Sequence, residues 1–206
     1  MFSGIVEAVV PALSGEGQNG VFRLRLKRPP EFTDIRLGDS IAVDGVCLTV
    51  EAFDADSMSF ALAAETLRVL DWRPETALAR SFNLERSLRF GDRLHGHMVS
   101  GHVDSLGEVV RVRSEGESLF LDVRIQPHLR PLVWPKGSLA IHGVSLTVNA
   151  VEKDVVSVCL IPETQKRTNL PRLKVGDRVH IEPDFFARAL ARAIEAGALM
   201  IPQERR

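Results

Sequence analysis

The sequence predicts a mainly β protein: two homologous units, each a small closed antiparallel barrel, followed by one C-terminal helix. Three observations predict it. First, the chain repeats itself. Ser40–Val50 (SIAVDGVCLTV) and Ser138–Val148 (SLAIHGVSLTV) share seven of 11 positions at an offset of 98 residues. Ser3–Glu7 matches Ser100–Asp104 at an offset of 97, and Glu65-Thr66 matches Glu163-Thr164 at 98. Phe82–Glu85 pairs more weakly with Val179–Glu182, again at 97. Four blocks in one order at nearly one offset describe a duplicated unit, which has to be found before local structure is read. Second, segments within each unit alternate apolar and polar residues with period two. Third, the pattern changes to helical spacing after Pro183.

The elements follow in order. Phe22–Lys27 (FRLRLK) alternates as a half-buried strand does, and Phe120–Ile125 (FLDVRI) does so in the second unit. The short apolar runs Ser40–Val43 and Val46–Val50 flank Asp44-Gly45, a two-residue hairpin signal. His142-Gly143 takes that place in the second unit, and histidine tolerates positive φ better than most residues. Gly38-Asp39, Gly91-Asp92 and Gly176-Asp177 mark further turns. Short strands between such turns suggest a closed barrel, which leaves no sheet edge exposed. Pro30–Ile35 and Pro127–Leu132 have room for a short helical turn each. Beyond Pro183, Phe186, Leu190 and Ile194 recur at helical spacing beside Ala187, Ala191 and Ala198. Asp184 stands near the start of this helix and Gly197 near its end. The stripe packs either on its own barrels or on copies of itself, and self-association is expected because the barrels close without it. The units expected are residues 1–92, residues 93–184, and an oligomerisation helix with its tail over 185–206.

Composition excludes several classes. Apolar residues make up 45% of the 206 and charged ones 26%, so a packed core is affordable to this chain and disorder is not expected. The net charge of −1 argues against a dedicated nucleic-acid binder. Two cysteines, Cys47 and Cys159, are too few for a disulfide framework and point to a reducing compartment. The N-terminus shows neither a basic stretch nor a long apolar one, and Phe185–Ile201 carries Arg188, Arg192 and Glu195, a poor membrane span. A cytoplasmic protein is expected.

No metal-ligand spacing stands out, for His95, His97 and His102 have no Cys or acidic partner at zinc spacing. No phosphate loop, dinucleotide fingerprint or Gly-x-Ser-x-Gly elbow is present. What recurs is a set of small polar side chains: Ser40, Cys47 and Thr49 in one unit, Ser138, Ser145 and Thr147 in the other. Residues two apart on a strand face the same side, so Cys47 lies with Thr49, and Ser145 with Thr147. Two equivalent half-sites lined in this way suit a planar heterocycle with a polyol arm, and not a charged polymer.

These residues sit in longer motifs: Met1–Glu7 (MFSGIVE), Gly38–Val50, Phe82–Arg86 (FNLER), Gly96–Asp104 (GHMVSGHVD), Lys136–Asn149, and Ile161-Pro162 with the region of Asp184. With them the sequence resembles the riboflavin synthase family of the alpha-chain, lumazine-binding type over nearly its whole length. The resemblance implies two six-stranded antiparallel barrels and a C-terminal helix, assembled as a homotrimer through that helix. It implies a transferase that takes two molecules of 6,7-dimethyl-8-ribityllumazine. A four-carbon unit passes between them, giving riboflavin and 5-amino-6-ribitylaminouracil, with no cofactor and no metal. The site would form between the N-terminal barrel of one subunit and the C-terminal barrel of a neighbour. An association with lumazine synthase is a further expectation, and a non-catalytic lumazine- or flavin-binding relative is the alternative function.

By the same resemblance the catalytic candidates are Ser40, Cys47, His97, His102 and Asp184. Ser40, Cys47, Thr49, His97 and His102 would serve the first half-site; Lys136, Ser145, Thr147 and Asp184 would serve the second, with Phe2 near the ring. Further substrate contacts are expected from Gly4, Ile5 and Val6, from Leu48, and from Ala61, Leu62, Ala63, Ala64, Glu65 and Thr66. Gly101, Val103, Leu146, Leu160, Ile161, Pro162, Glu163, Thr164 and Gln165 complete the set. His102 is the acid–base candidate, since imidazole titrates nearest neutrality. Cys47 either reacts as a thiolate or packs on the ring. Asp184 either orients a histidine or caps the helix. The chain departs from the family pattern at His142, where Asp is usual, at Glu163, where His is usual, and at Val69, where Thr is common. His142 and Glu163 are expected in or near the second half-site.

Overall fold

The alternating segments become strands that close on themselves twice. The computed structural model of the chain describes residues 1–18, 21–70, 72 and 77–199. The first barrel is built from β1 (Ala8–Gln18), β2 (Val21–Lys27), β3 (Ser40–Val43), β4 (Val46–Phe53), β5 (Ser57–Ala63) and β6 (Ser81–Arg86), with α1 (Ala64–Leu70) after β5. The second is built from β7 (Ser105–Glu115), β8 (Ser118–Arg124), β9 (Ser138–Ile141), β10 (Val144–Glu152), β11 (Val155–Leu160) and β12 (Arg178–Pro183), with α2 (Pro162–Arg167) after β11. Neighbours around the first barrel run β1-β2-β5-β4-β3-β6, and around the second β7-β8-β11-β10-β9-β12, the same order in both. The repeat is therefore a repeat of topology. Even the irregularities recur, with register shifts at Val50/Ala52 and Val148/Ala150.

The period-two pattern decides which residues face inward. On β2, Phe22, Leu24 and Leu26 are buried while Arg23, Arg25 and Lys27 reach solvent. They pack against Met58, Phe60 and Leu62 of the paired strand β5. Each such side chain contributes about 1.5–3 kcal/mol on leaving water. The strands β6 and β12 break the pattern, being buried on both faces. Phe82, Leu84, Val179 and Ile181 fill the cores, whereas Asn83, Glu85, His180 and Glu182 are polar and buried at 5% exposure or less. Glu85 and Glu182 are covered by the segments that precede each barrel, Ser3-Gly4 and Ser100-Gly101, while Asn83 and His180 face the other barrel.

The two hairpin turns meet there. Asp44 and Gly45 have φ of 44° and 81°, and His142 and Gly143 have 47° and 75°, the left-handed pair that a two-residue hairpin needs. A Cβ on Gly45 would lie 2.6 Å from the Gly143 nitrogen, and one on Gly143 2.6 Å from the Gly45 nitrogen, so only glycine lets the turns stack. Crossed hydrogen bonds hold them: the Asn83 amide donates to the His142 carbonyl (3.0 Å) and His180 Nδ1 to the Asp44 carbonyl (2.7 Å). Asn169 donates to Asp44 Oδ1 (2.9 Å), and Trp72 packs on Phe82 and His180. Burial holds Asp44 up at about 6, against the pull of Arg80, and His180 down at about 4. His142 lies well below the usual histidine range for the same reason.

The hairpins, the strand at Phe22–Lys27 and the turn of helix at Pro127–Leu132 lie where the sequence puts them, the last as a 3₁₀ turn. Pro30–Ile35 is corrected: it is a run of turns, with the Phe32 N–H on the Pro29 carbonyl and the Arg28 guanidinium on the Phe32 carbonyl. The helix after Pro183 is α3 (Phe185–Glu195), capped by Asp184, whose Oδ1 accepts from the Phe186 and Ala187 nitrogens. Its stripe of Phe186, Leu190 and Ile194 is exposed at 63%, 53% and 38%. Residues 200–206 of the expected tail lie outside the described residues. No described helix is long and apolar enough to cross a membrane.

Candidate active site

The polar positions singled out in the repeat lie on the outer walls of the barrels. On β4, Val46, Leu48 and Val50 fill the core, which turns Cys47 and Thr49 outward; on β10, Leu146 and Val148 do the same for Ser145 and Thr147. Cys47 and Ser145 are half-buried and the two threonines exposed. Leu48, Leu146, Leu62 and Leu160 thus have core side chains and could meet a ligand only through their backbone.

Each wall is covered by a strap from the opposite half. The N-terminal segment crosses to the second barrel, where the Gly4 carbonyl accepts the Ser145 N–H at 2.7 Å. The segment between the barrels crosses to the first, where the Gly101 carbonyl accepts the Cys47 N–H at 2.8 Å. The straps pair with each other through Phe2 and Val99. Phe2 is wholly buried with Ala42, Val99 and Ala140, and Cys47 packs against this cluster, so Phe2 forms a floor under the site. Around Cys47 the fold gathers Thr49, Gly101, exposed His102, half-buried Val103 and the end of β5 at Ala61, which leads into α1 with Thr66. The side chains of Ala63, Ala64, Glu65 and Val69 lie outside the described residues. Around Ser145 it gathers Gly4, Ile5, Val6 and Thr147, with Ile161 leading into α2 and Pro162 and Thr164 in its first turn. Gln165 donates to the carbonyls of Leu160 and Glu117, which ties α2 to the end of β11.

His97 is found with the second half and not with the first. Its Nδ1 lies 2.7 Å from Ser145 Oγ, because the His97 N–H is bonded to the Ser3 carbonyl on the N-terminal strap. Burial lowers the His97 pKa, and the Asp184 carboxylate opposes the shift. Asp184 therefore caps α3 and also acts on a histidine of its own chain. His97 Nε2 is buried with no hydrogen-bond partner among the described residues. A neutral imidazole with one nitrogen on a hydroxyl and the other unpartnered can hold or move a proton at Nε2.

Two positions are less central. Ser40, the register partner of Thr49, borders a cavity of about 850 Å³ with Ile5, Glu7, Asp34, Arg86 and Arg89. Lys136 is exposed and sits at φ 69°, where the first unit has Gly38. Its N–H reaches the Val148 carbonyl, which places it beside Thr147.

A family model described as the lumazine binding domain matches residues 3–87 and again 100–184. The riboflavin synthase of Brucella abortus is 37% identical over 202 residues, covering 93% of this chain and 97% of that protein. That of Schizosaccharomyces pombe is 35% identical over 199 residues, covering 95% of each. The chain belongs to the riboflavin synthase family. Among solved structures, LumP complexed with riboflavin superposes with a TM-score of 0.82 at 22% identity, covering 89% of this chain and 99% of that one. LumP complexed with 6,7-dimethyl-8-(1'-D-ribityl) lumazine gives 0.79 at 22%, over 88% and 98%. These two share the two-barrel fold.

The departures from the family pattern fall in different places. Glu163 is exposed on α2 beside the second half-site and is ion-paired with Arg167. His142 is corrected: it lies in neither half-site but in the stacked turns between the barrels, edge-on to His180. The sequence reading missed Glu85, Glu182 and Arg188, which hold the straps. A signal existed, since both glutamates end the weakest of the four repeated blocks.

Proposed function

We propose that this chain is a riboflavin synthase, converting two molecules of 6,7-dimethyl-8-ribityllumazine into riboflavin and 5-amino-6-ribitylaminouracil. The observation that carries the proposal is the duplicated half-site with unequal chemistry. One copy offers a thiol and an imidazole at Cys47 and His102; the other offers Ser145 bonded to His97, near Asp184. A reaction between two copies of one substrate needs two sites of one shape. It needs them to differ in chemistry, because one molecule gives the four-carbon unit and the other takes it.

The acidic C7 methyl of the lumazine loses a proton to a general base, and a nucleophile adds to the partner ring. Groups placed for proton transfer supply about 10²–10⁴-fold. Holding two rings face to face supplies up to ~7–11 kcal/mol. His97 Nε2 and His102 are assigned the proton transfers, and Cys47 the thiol that acts on or packs against the ring. Thr49, Thr147 and Lys136 are assigned to the ribityl arms and ring edges, and Ser40 to the margin of the first site. The domain limits proposed are 1–92, 93–184 and 185–206. The exposed stripe on α3 supports assembly of three copies, which would bring the first half-site of one chain to the second of another. A cytoplasmic location and association with lumazine synthase belong to the same proposal. Incubating the protein with 6,7-dimethyl-8-ribityllumazine and no additive tests the activity. Riboflavin should form together with one equivalent of the uracil; stoichiometric binding without turnover would instead mark a binding relative.

A further inference from the structure

Two buried carboxylates hold the two straps, and they differ in that Arg188 donates to one of them. Glu85, on the outer face of β6, accepts the Ser3 and Gly4 N–H groups (2.6 and 2.9 Å) and the Ser3 hydroxyl (2.8 Å). Glu182, at the same place on β12, accepts the Ser100 and Gly101 N–H groups (2.7 and 3.0 Å) and the Ser100 hydroxyl (2.6 Å). The carbonyl of the clamped glycine then crosses to the other barrel: Gly4 to Ser145, Gly101 to Cys47. So the glutamate of each barrel fixes the half-site of the other.

The two clamps differ at Arg188. From the first turn of α3, its Nη2 donates to Glu182 Oε1 (3.0 Å) and Ser100 Oγ (2.9 Å), and its Nη1 donates to Asp104 Oδ2 (3.1 Å). The neighbour that counts at Glu85 is Glu7, a like charge. Burial pushes both carboxylates up; Arg188 opposes this at Glu182, while Glu7 reinforces it at Glu85, which reaches about 7. The charged groups facing the Glu182 clamp are Arg188 and Asp104, with His102 and His128 on the far side of Asp104. A carboxylate accepting three hydrogen bonds and an arginine is fixed in place far better than one without the cation. The same helix carries the exposed apolar stripe, so whatever seats that stripe also seats Arg188.

We propose that Arg188 is a positioning residue for the Cys47–His102 half-site: through Glu182 and Ser100 it holds the strap that carries Gly101 and His102, and so makes this half-site depend on the seating of α3. The inference uses the proposed synthase reaction only for its kinetic readout.

The test compares the full chain with Arg188→Ala and Arg188→Lys. Cys47 and Cys159 are both half-buried free thiols, so Cys159 is an internal control for alkylation by iodoacetamide, followed site by site by mass spectrometry. In Arg188→Ala, Cys47 labelling should rise by about threefold or more as the strap opens locally, with Cys159 unchanged. At protein concentrations where sedimentation shows the parent assembly, kcat should fall about tenfold to a hundredfold, the scale of an ångström-level misplacement, with KM moving less. Arg188→Lys, which keeps the cation, should recover most of both. Unchanged Cys47 labelling and kcat in Arg188→Ala would overturn the proposal. So would a loss of kcat that raising the protein concentration restores in full, because Arg188 would then act in assembly alone. If Arg188→Ala does not fold, Arg188→Gln is measured in its place, and a Cys47 labelling rate equal to that of the parent overturns the proposal. If the parent chain makes no riboflavin, the synthase reading fails by itself, and the Cys47 to Cys159 labelling ratio still decides the role of Arg188.

Discussion

Replacing Gly101 by alanine tests whether the strap really sets the position of Cys47. Gly101 has φ +82°, and a Cβ there would lie 2.6 Å from Cys47 Cβ, 2.9 Å from the Cys47 nitrogen and 3.0 Å from the Phe2 ring. Carbon atoms in contact prefer about 3.5–4.0 Å, so the strap has to retreat by about 1 Å. The left-handed backbone costs alanine about 1–2 kcal/mol, and forcing the extra methyl into a packed site about 1–3 kcal/mol more. Retreat also weakens the 2.8 Å hydrogen bond from the Cys47 N–H, worth roughly 0.5–1.5 kcal/mol. The sum is about 2.5–6.5 kcal/mol, which in a chain of this size lowers Tm by roughly 5–25 °C. Gly91→Ala is the control: its φ is +96° and nothing lies within 4 Å of the added Cβ, so it meets only the backbone penalty of about 1–2 kcal/mol. Calorimetry of both variants, with riboflavin formation measured on the same samples, gives the comparison. Gly101→Ala should melt well below Gly91→Ala and lose about a hundredfold in turnover, as a misplaced reacting group does. Equal melting temperatures, or full turnover in Gly101→Ala, would refute the idea that this contact fixes the half-site.

Cys47→Ala and His102→Gln should each lower turnover more than lumazine affinity, since groups used in proton or covalent steps act mainly in the transition state; steady-state kinetics alongside equilibrium titration will show it. Replacing Leu190 and Ile194 together by Glu should give folded monomers by sedimentation, because the half-exposed stripe then cannot be covered by its copies. Turnover should fall in step and partly return at high protein concentration, and a fully active monomer would contradict an intersubunit site. His180→Asn puts the residue of the first unit into the second. His180 is held at about 4 when folded, against 6.5 for the ordinary group. Between those values the unfolded chain binds more protons, so stability falls as pH drops through this window, by about 2 kcal/mol between pH 7.5 and 5. Asp44, held up at about 6, acts in the opposite direction in both proteins. Urea unfolding at the two pH values should therefore show the variant losing less stability on acidification than the parent.

How far the site could be read from sequence differs between its parts. Cys47, Thr49, Ser145 and Thr147 were legible because a strand has period two and the repeat shows each pattern twice. The short helices α1 and α2 were not, since six or seven residues at a strand end carry too few turns for a helical period to show. His97 was assigned to the wrong half because nothing local in Gly96–Asp104 states which barrel the strap crosses to. Pairing of Phe2 with Val99 and of the Ser3 carbonyl with the His97 N–H decides that, across more than ninety residues.

By itself the sequence determined what depends on neighbours along the chain: the duplication, the alternating strands, the two left-handed hairpin turns, and the capped amphipathic helix with its stripe. Those follow from side-chain period, from the φ that Asp-Gly and His-Gly can adopt, and from a carboxylate placed before a helix. The tertiary structure alone decided what depends on partners far apart. Glu85 and Glu182 read as ordinary polar ends of strands, yet they are buried clamps because backbone N–H groups of a distant strap meet them there. His142 reads as part of a hairpin beside a half-site, yet its environment is set by His180 on a strand of its own barrel and by Asp44 across the barrel interface. Burial and crossed hydrogen bonds arise only when both barrels have closed and docked, and a linear pattern with a period of two or four residues carries no record of that.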